Sequence, residues 1–310
     1  MRGATSAAWA DLTEPVVGLP ARLSRSGRIP DFLLFVCITN NDFELPGLGT
    51  TIGEVAAIPL VLLSLARRAE RGWSRIGAPA LLVTALGGWF LLSGVINHQI
   101  PPFRIGHMAL YCAVILFMAC GRIDVVAAAS GIGVGLVIGT VYGYATFGSD
   151  YPGRMTGSLG DPNGAGYVLI TLGLVYLGLE TRRGRRLVVG LATVAGIVGT
   201  FSRTTFLAAG MAALWILMPP RVPVAVKGAI TAVLFTQVTT VAESMKNQGV
   251  FADRQGSDNL RELIYPLEQQ IVSSNPLTGH GPGTLTIQLE QQSFFFHSSY
   301  LLLRAEGGWI

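Results

Sequence analysis

Residues 123–146 read IDVVAAASGIGVGLVIGTVYGYAT, with no charged side chain after Asp124. A helix of about 20 mostly apolar residues crosses a bilayer core of about 30 Å, and this stretch meets that requirement. Further runs of the same kind occupy 49–66, 76–96, 103–120, 164–180, 187–201, 204–218 and 226–242. A shorter apolar run, Phe32 to Ile38, precedes them and crosses only if the segment extends over Ile29 to about Phe43. Composition agrees with that pattern. Charged residues make up 13% of the chain, hydrophobic residues 50%, and the mean hydropathy is +0.51; soluble domains carry about 25% charge. High hydrophobicity with low charge excludes a disordered chain and leaves too little polar surface to cover a soluble globule. The 39 glycines have no G-X-Y period, which excludes collagen. The net charge is +4, but the positive residues come in short bursts between apolar runs, not as the clustered wet face of a nucleic-acid binder. No nucleic-acid partner is expected. The fold class expected is all-α, a polytopic transmembrane helix bundle with membrane lipids around it.

Cys37, Cys112 and Cys120 lie in or at the end of apolar runs and read as small buried hydrophobes. They form neither a disulfide framework nor a CxxC spacing. The first 28 residues carry Arg2, Arg22, Arg25 and Arg28 without the apolar core of a cleavable signal. Cytoplasmic loops of membrane proteins are enriched in Lys and Arg. That rule puts inside the Arg22–Arg28 stretch, Arg67, Arg68, Arg71 and Arg75, Arg122, the run Arg182, Arg183, Arg185 and Arg186, and Arg221 with Lys227. It leaves outside 44–48, 97–102, 147–163, the turn at Ser202-Arg203, and 243–297. The expected organisation is a cytoplasmic segment 1–28, a helix bundle 29–242, an extracytoplasmic loop 243–297 carrying site residues, and a further helix opening at 298–310, truncated at Ile310.

The 243–297 loop is polar and partly helical. Asp258 is placed to cap a helix with Glu262 in its first turn. Leu260, Leu263, Ile264, Leu267 and Ile271 then recur at helical spacing and make one face apolar. Pro266 is expected to kink that helix and Asn275-Pro276 to end it. Its apolar face is expected to rest on the outer ends of the membrane helices or in the headgroup region.

Few arginines remain on the outer side: Arg154, Arg203, Arg261, and Arg104 at the start of a span. A single one is at home snorkelling to headgroups or in a surface ion pair. Several converging on one face point instead to an anion site, because the guanidinium fork grips phosphate oxygens in two places. The natural anion at that face is the diphosphate of a lipid carrier. Of the four histidines, His98, His107 and His280 lie in a turn, near the end of a span and in a Gly/Pro turn; His297 closes the loop at the membrane boundary, on the arginines' side. No HExxH, cysteine pair, phosphate-binding glycine loop or dinucleotide turn occurs, so no metal and no cofactor are expected. Glu54 is the one carboxylate clearly within a span and is expected to reach the interface or pair locally.

Four pieces, in order, resemble the O-antigen ligase and O-antigen polymerase family of bacterial membrane proteins. Gly153 to Asn163, GRMTGSLGDPN, is similar to its GRxTGxxxDPN; Thr200-Phe201-Ser202-Arg203 to its SR between two spans; Arg261 with Asn275 to Gly283, NPLTGHGPG, to its R…NPxxGxGxG; and His297-Ser298-Ser299-Tyr300-Leu301 with Glu306-Gly307-Gly308 to its HNxxL…ExG. The likeness covers about 150–310. Ser298 stands where the family has Asn, Pro266 interrupts the helix after Arg261, and His280 replaces a small residue between the glycines. The resemblance implies glycan transfer from an undecaprenyl-diphosphate-linked donor to a polysaccharide, lipid or protein acceptor at the outer face of the cytoplasmic membrane. It implies Arg154, Arg203 and Arg261 as substrate-binding residues and His297 as the general base. That chemistry is physically coherent. Arginines fixed in a dry site stabilise charge on a departing diphosphate, and neutral histidine accepts a hydroxyl proton near neutral pH. Two other readings remain: a transporter of lipid-linked glycan, and a non-catalytic subunit of an export complex. Transporters usually set ionisable residues near the bilayer midplane, whereas here they stand at the outer edge.

Overall fold

The computed structural model describes residues 25–45, 50–69, 77–149, 151–244, 255–283, 285–289, 292–296 and 299–309. Among them the chain is mostly helical. Eleven helices form: α1 Arg25–Thr39, α2 Ile52–Ala66, α3 Gly77–Ile96, α4 Pro102–Ala119, α5 Val125–Ala145, α6 Pro162–Leu179, α7 Arg183–Thr200, α8 Arg203–Leu217, α9 Val224–Ser244, α10 Gln255–Ser274 and α11 Ser299–Gly307. Two short strands, β1 Ile287–Leu289 and β2 Gln292–Phe294, pair antiparallel, with Gln288 opposite Ser293. Each apolar run of the sequence has its helix. Three of these, α4, α5 and α6, are long and apolar enough to cross a membrane; α1, α2, α3, α8 and α9 contribute shorter apolar stretches.

Caps set the boundaries. Thr51 and Glu54 form a reciprocal capping box, so α2 starts at Ile52. Asp124 accepts from the amides of Val126 and Ala127 and opens α5. Asp161 does the same for α6 through Asn163 and Gly164. The α7 helix begins at Arg183, earlier than its apolar run, so its first turn is charged.

The central helix is α5, which packs on α1, α6 and α7. Its glycines allow that. Gly131 lies against Phe32 and Phe35, Gly133 against Tyr176, Gly135 against Thr39, Gly139 against Leu159 and Gly143 against Met155, each too close for a side chain. Small residues let helix backbones approach in this way. Leu60, Ile123, Ala128, Leu136, Met155, Leu159, Leu169 and Tyr176 fill the core between them. The outward faces are apolar too, with Leu81, Phe103, Tyr167, Leu187 and Leu217 exposed.

One end of the bundle is clamped by Asp31 of α1, which is fully buried. Its carboxylate accepts from Arg67 Nη1 at 2.7 and 2.8 Å and from the Asp124 amide at 2.8 Å. Arg67 Nη1 also donates to the Arg122 carbonyl at 3.0 Å, and Arg122 Nη1 to that of Ser64 at 3.3 Å. Two of the arginines expected in cytoplasmic loops thus share this end.

The segment after α9 makes a small body of its own. α10, the β-hairpin and α11 bury Ile264, Val272, Ile287, Phe296, Leu301 and Ala305 together. Some expectations hold here and others change. α10 begins at Gln255, so Asp258 lies inside its first turn and not before it. The helix continues through Pro266 and ends before Asn275. Leu263 is 59% exposed, while Glu268 and Val272 are buried. Leu260, Ile264, Leu267 and Ile271 share the inward face as expected, but that face packs on the hairpin and α11. The hairpin itself is an addition to an all-helical reading. α11 closes at Gly307; Gly308 takes a left-handed φ of 76° and the Trp309 amide turns back to the Pro276 carbonyl at 2.8 Å.

Candidate functional site

At the end opposite the Asp31 clamp, the α5–α6 connection folds back into the bundle. Met155 and Leu159 are buried in the core. The Met155 amide donates to the Gly199 carbonyl at 2.7 Å, and Ser158 Oγ donates to Asn40 Oδ1 at 2.6 Å. Asn40 in turn donates to the carbonyls of Val36 and Gly135. This anchored loop holds Arg154 against the α7–α8 junction. Arg154 Nε donates to the Thr200 carbonyl at 2.9 Å, and its Nη2 reaches to 3.5 Å from Asn163 Oδ1. Ser202 Oγ donates to the same Asn163 oxygen at 2.8 Å and lies 3.1 Å from Thr204 Oγ1.

The junction has a strained backbone. Phe201 ends α7 with φ 45° and ψ 35°, the left-handed region, which is uncommon for a bulky residue. Such conformations cost on the order of 1–3 kcal/mol and persist where surroundings enforce them, often at functional sites. The turn lets Ser202 cap α8 through the Thr205 amide and makes Arg203, which is buried, its first residue. The N-termini of α6 and α8 therefore meet at Asn163 and Ser202, with Arg154 and Arg203 beside them. Helix N-termini carry partial positive charge and favour anions. Two acids border the site: Asp161, which caps α6, and Asp42, whose amide donates to the Ser158 carbonyl at 3.2 Å. Desolvation first, then the Asp161 and Glu44 carboxylates, push the Asp42 carboxyl above its ordinary value.

Arg261 is exposed on α10, whose packing partners are β1 and α11. His297 and Ser298 lie outside the described residues, between Phe296, buried in the small core, and the start of α11. His280 Nε2 lies 3.0 Å from Ser274 Oγ and 3.1 Å from the Ile271 carbonyl, so it ties down the last turn of α10. His98 sits in the turn after α3 with φ 54°. Arg104 is exposed in the first turn of α4, its stem against Gly283 and its charge within reach of Glu306.

The Asn275–Gly283 turn has a clear structural task. The amides of His280 and Gly281 donate to the carbonyls of Ala305 and Glu306, and the Gly283 amide donates to Glu306 Oε1 at 2.7 Å. Ser93 Oγ of α3 lies 2.6 and 2.7 Å from the carbonyls of Thr278 and Glu306, and Trp89 Nε1 donates to that of Gly307. Two separated motif pieces, NPLTGHGPG and EGG, are thus partners in one joint that docks the small body on α3.

The chain matches no family model, no curated protein and no solved structure. The site is therefore read from its own geometry. That geometry brings together residues that the sequence reading quoted without giving them a part in the site. Asn163 and Ser202 bridge the two arginine segments; each lies next to a helix-capping signal, at Asp161-Pro162 and at Ser202 itself. Glu54 Oε1 lies 3.2 Å from His107 Nε2, while its Oε2 accepts from Thr50 Oγ1 and the Thr51 amide. The T-x-x-E box at Thr51–Glu54 signalled the local bonds of Glu54, but not its contact with His107.

Proposed function

We propose that the chain is a polytopic protein of the bacterial cytoplasmic membrane that transfers a glycan at the outer face. The donor is an undecaprenyl-diphosphate-linked glycan and the acceptor a polysaccharide, lipid or protein, as in O-antigen ligases and polymerases. The observation that carries this reading is the meeting of the N-termini of α6 and α8 at Asn163 and Ser202, where Arg154 bonds the Thr200 carbonyl and reaches toward Asn163 and the buried Arg203 opens α8. It is a site suited to the diphosphate of the donor, and it lies at the end of the bundle opposite the Asp31–Arg67–Arg122 clamp.

The reaction needs three things of the protein. Arg154 and Arg203 hold the diphosphate and stabilise the charge that develops on it as the anomeric C–O bond breaks. The acceptor hydroxyl oxygen attacks the anomeric carbon from the opposite side and inverts its configuration. Its proton passes to His297 as general base, and Arg261, from the same polar segment, contacts the incoming substrate. The electron pair of the broken bond leaves with undecaprenyl diphosphate.

The test is transfer by the purified full chain in nanodiscs supplied with a lipid-linked oligosaccharide and acceptor glycan. Released undecaprenyl diphosphate equal to the glycan transferred supports the reading. Movement of the intact donor across the bilayer without diphosphate release overturns it in favour of transport.

A further inference from the structure

A second site lies at the other end of α7. A groove of about 510 Å³ runs between α5 and α7 and is lined by Val134, Val137, Ile138, Val188, Tyr176 and Phe32, among others. Of its lining residues only Ser130, Tyr176 and Arg185 carry polar side-chain groups, and Arg185 stands in the first turn of α7. Gly133 lies packed under the Tyr176 ring, which forms part of the groove wall, and Gly184 has open space where a side chain would be. From Ser130 to Ile138 the groove follows α5 for about 12 Å. Val134, Ile138 and Val188 remain 40%, 48% and 57% exposed along it.

The mouth is basic. Arg182, Arg183, Arg185 and Arg186 crowd the start of α7 against one glutamate, Glu180. That carboxylate is tied locally: Oε1 accepts from the amides of Thr181 and Arg182, and Oε2 lies 3.3 Å from the Tyr176 hydroxyl and 3.7 Å from Arg185 Nη1. Arg182 occupies the N-cap without a side-chain cap bond, so the positive end of the helix dipole faces the same place. An open apolar groove under a surplus of guanidinium groups complements a molecule with a long hydrocarbon tail and an anionic head. Basic pockets between membrane helices on the cytoplasmic side suit anionic phospholipid headgroups.

We infer that this groove binds one anionic glycerophospholipid of the inner leaflet, an acyl chain lying along α5 and the phosphate at the Arg182–Arg186 turn. The inference rests on the reading that the helices cross a membrane. The site is separate from the glycan donor's diphosphate, because α7 places its two ends about 25 Å apart.

The probe is palmitoyl-oleoyl phosphatidylglycerol, offered to the purified full chain in mixed micelles with an equal amount of the phosphatidylcholine of the same chains. Native mass spectrometry reads the lipid retained. One retained phosphatidylglycerol in preference to phosphatidylcholine is expected, lost in Val188→Trp, which fills the groove from an exposed position. Arg183→Gln and Arg186→Gln are expected to weaken retention about fivefold each. Equal retention of both lipids, indifference to Val188→Trp, or preferred retention of a polyprenyl phosphate overturns the inference. So does a dimer that Val188→Trp dissociates, since a second copy would then cover the groove. Washed membranes from the same cells separate the two readings. Chain in the membrane fraction without a preferred anionic lipid overturns the lipid site alone; chain in the soluble fraction overturns both.

Discussion

Arg154 is held by two contacts that use its fork, Nε on the Thr200 carbonyl and Nη2 toward Asn163. A lysine offers one point charge and cannot reproduce both. Arg154→Lys is therefore expected to lose nearly as much turnover as Arg154→Ala, about 10²–10³-fold, while Arg221→Ala, in the expected cytoplasmic loop, keeps wild-type rates. Initial rates of glycan transfer measure this, and a fully active Arg154→Ala would remove the anion site. For His297 the informative substitution is glutamine, which keeps a hydrogen bond but cannot take a proton near neutral pH. His297→Gln is expected to fall with His297→Ala by about 10²–10⁴-fold in single-turnover rate, with donor binding retained. An active glutamine variant with an unchanged pH profile rules out the base. Asp42 adds a pH dependence of stability. Its folded-state carboxyl holds a proton to higher pH than in the unfolded chain. The stability it contributes is present below the ordinary aspartate value and is lost as pH rises through the raised one. Asp42→Asn is expected to flatten that part of the melting-temperature profile in detergent; an identical profile would contradict the assignment.

Between elements, the most consequential bond is the one from α1 to the end of α2. Asp31 is wholly buried and binds both Arg67 and the first amide before α5. Removing one partner of a buried pair leaves the other charge uncompensated, at a cost of about 3–5 kcal/mol. Arg67 keeps 26% exposure, so Asp31→Ala is expected near the lower bound. Thermal unfolding of the detergent-solubilised chain measures the loss, and a change below about 1 kcal/mol would assign the pair to the weak surface class. The same logic explains the joint of the small body. Its hydrogen bonds run from α3 to the Asn275–Gly283 turn and to the end of α11, so the glycines of NPLTGHGPG and EGG serve contact between chain segments. Gly279 lies against the Glu306–Gly307 backbone and Gly308 against that of Leu277 and Gly279, each too close for a side chain and both at positive φ.

Across the bundle, the arginine distribution predicts which end faces the cytoplasm. In a background without the three native cysteines, Gly256→Cys is expected to react with an impermeant thiol reagent added outside, and Gly184→Cys is not. Labelling of position 184 alone would invert the chain and remove the outer-face site. The helices were legible in the sequence because an apolar run of sufficient length has few alternatives: in hydrocarbon its backbone groups must bond within the segment. The basic loops were legible because charge is counted residue by residue. Arg154 and Arg203 were legible as the arginines left over from that count, and their motif neighbours as a resemblance. Which helices touch was not legible. Buried Leu136 and exposed Leu187 are equally apolar, so no amphipathic stripe marks the face of a helix that meets its neighbours, as it would in water. The Asp31–Arg67, Glu54–His107, Asn163–Ser202 and Ser93–Glu306 contacts join residues far apart in the chain. The order of residues settled where the helices lie and where the charge gathers. Their neighbours, the bridge between two arginine segments and the groove beside α7 were decided only by packing, because close approach at glycines and polar bonds between helices depend on tertiary contact.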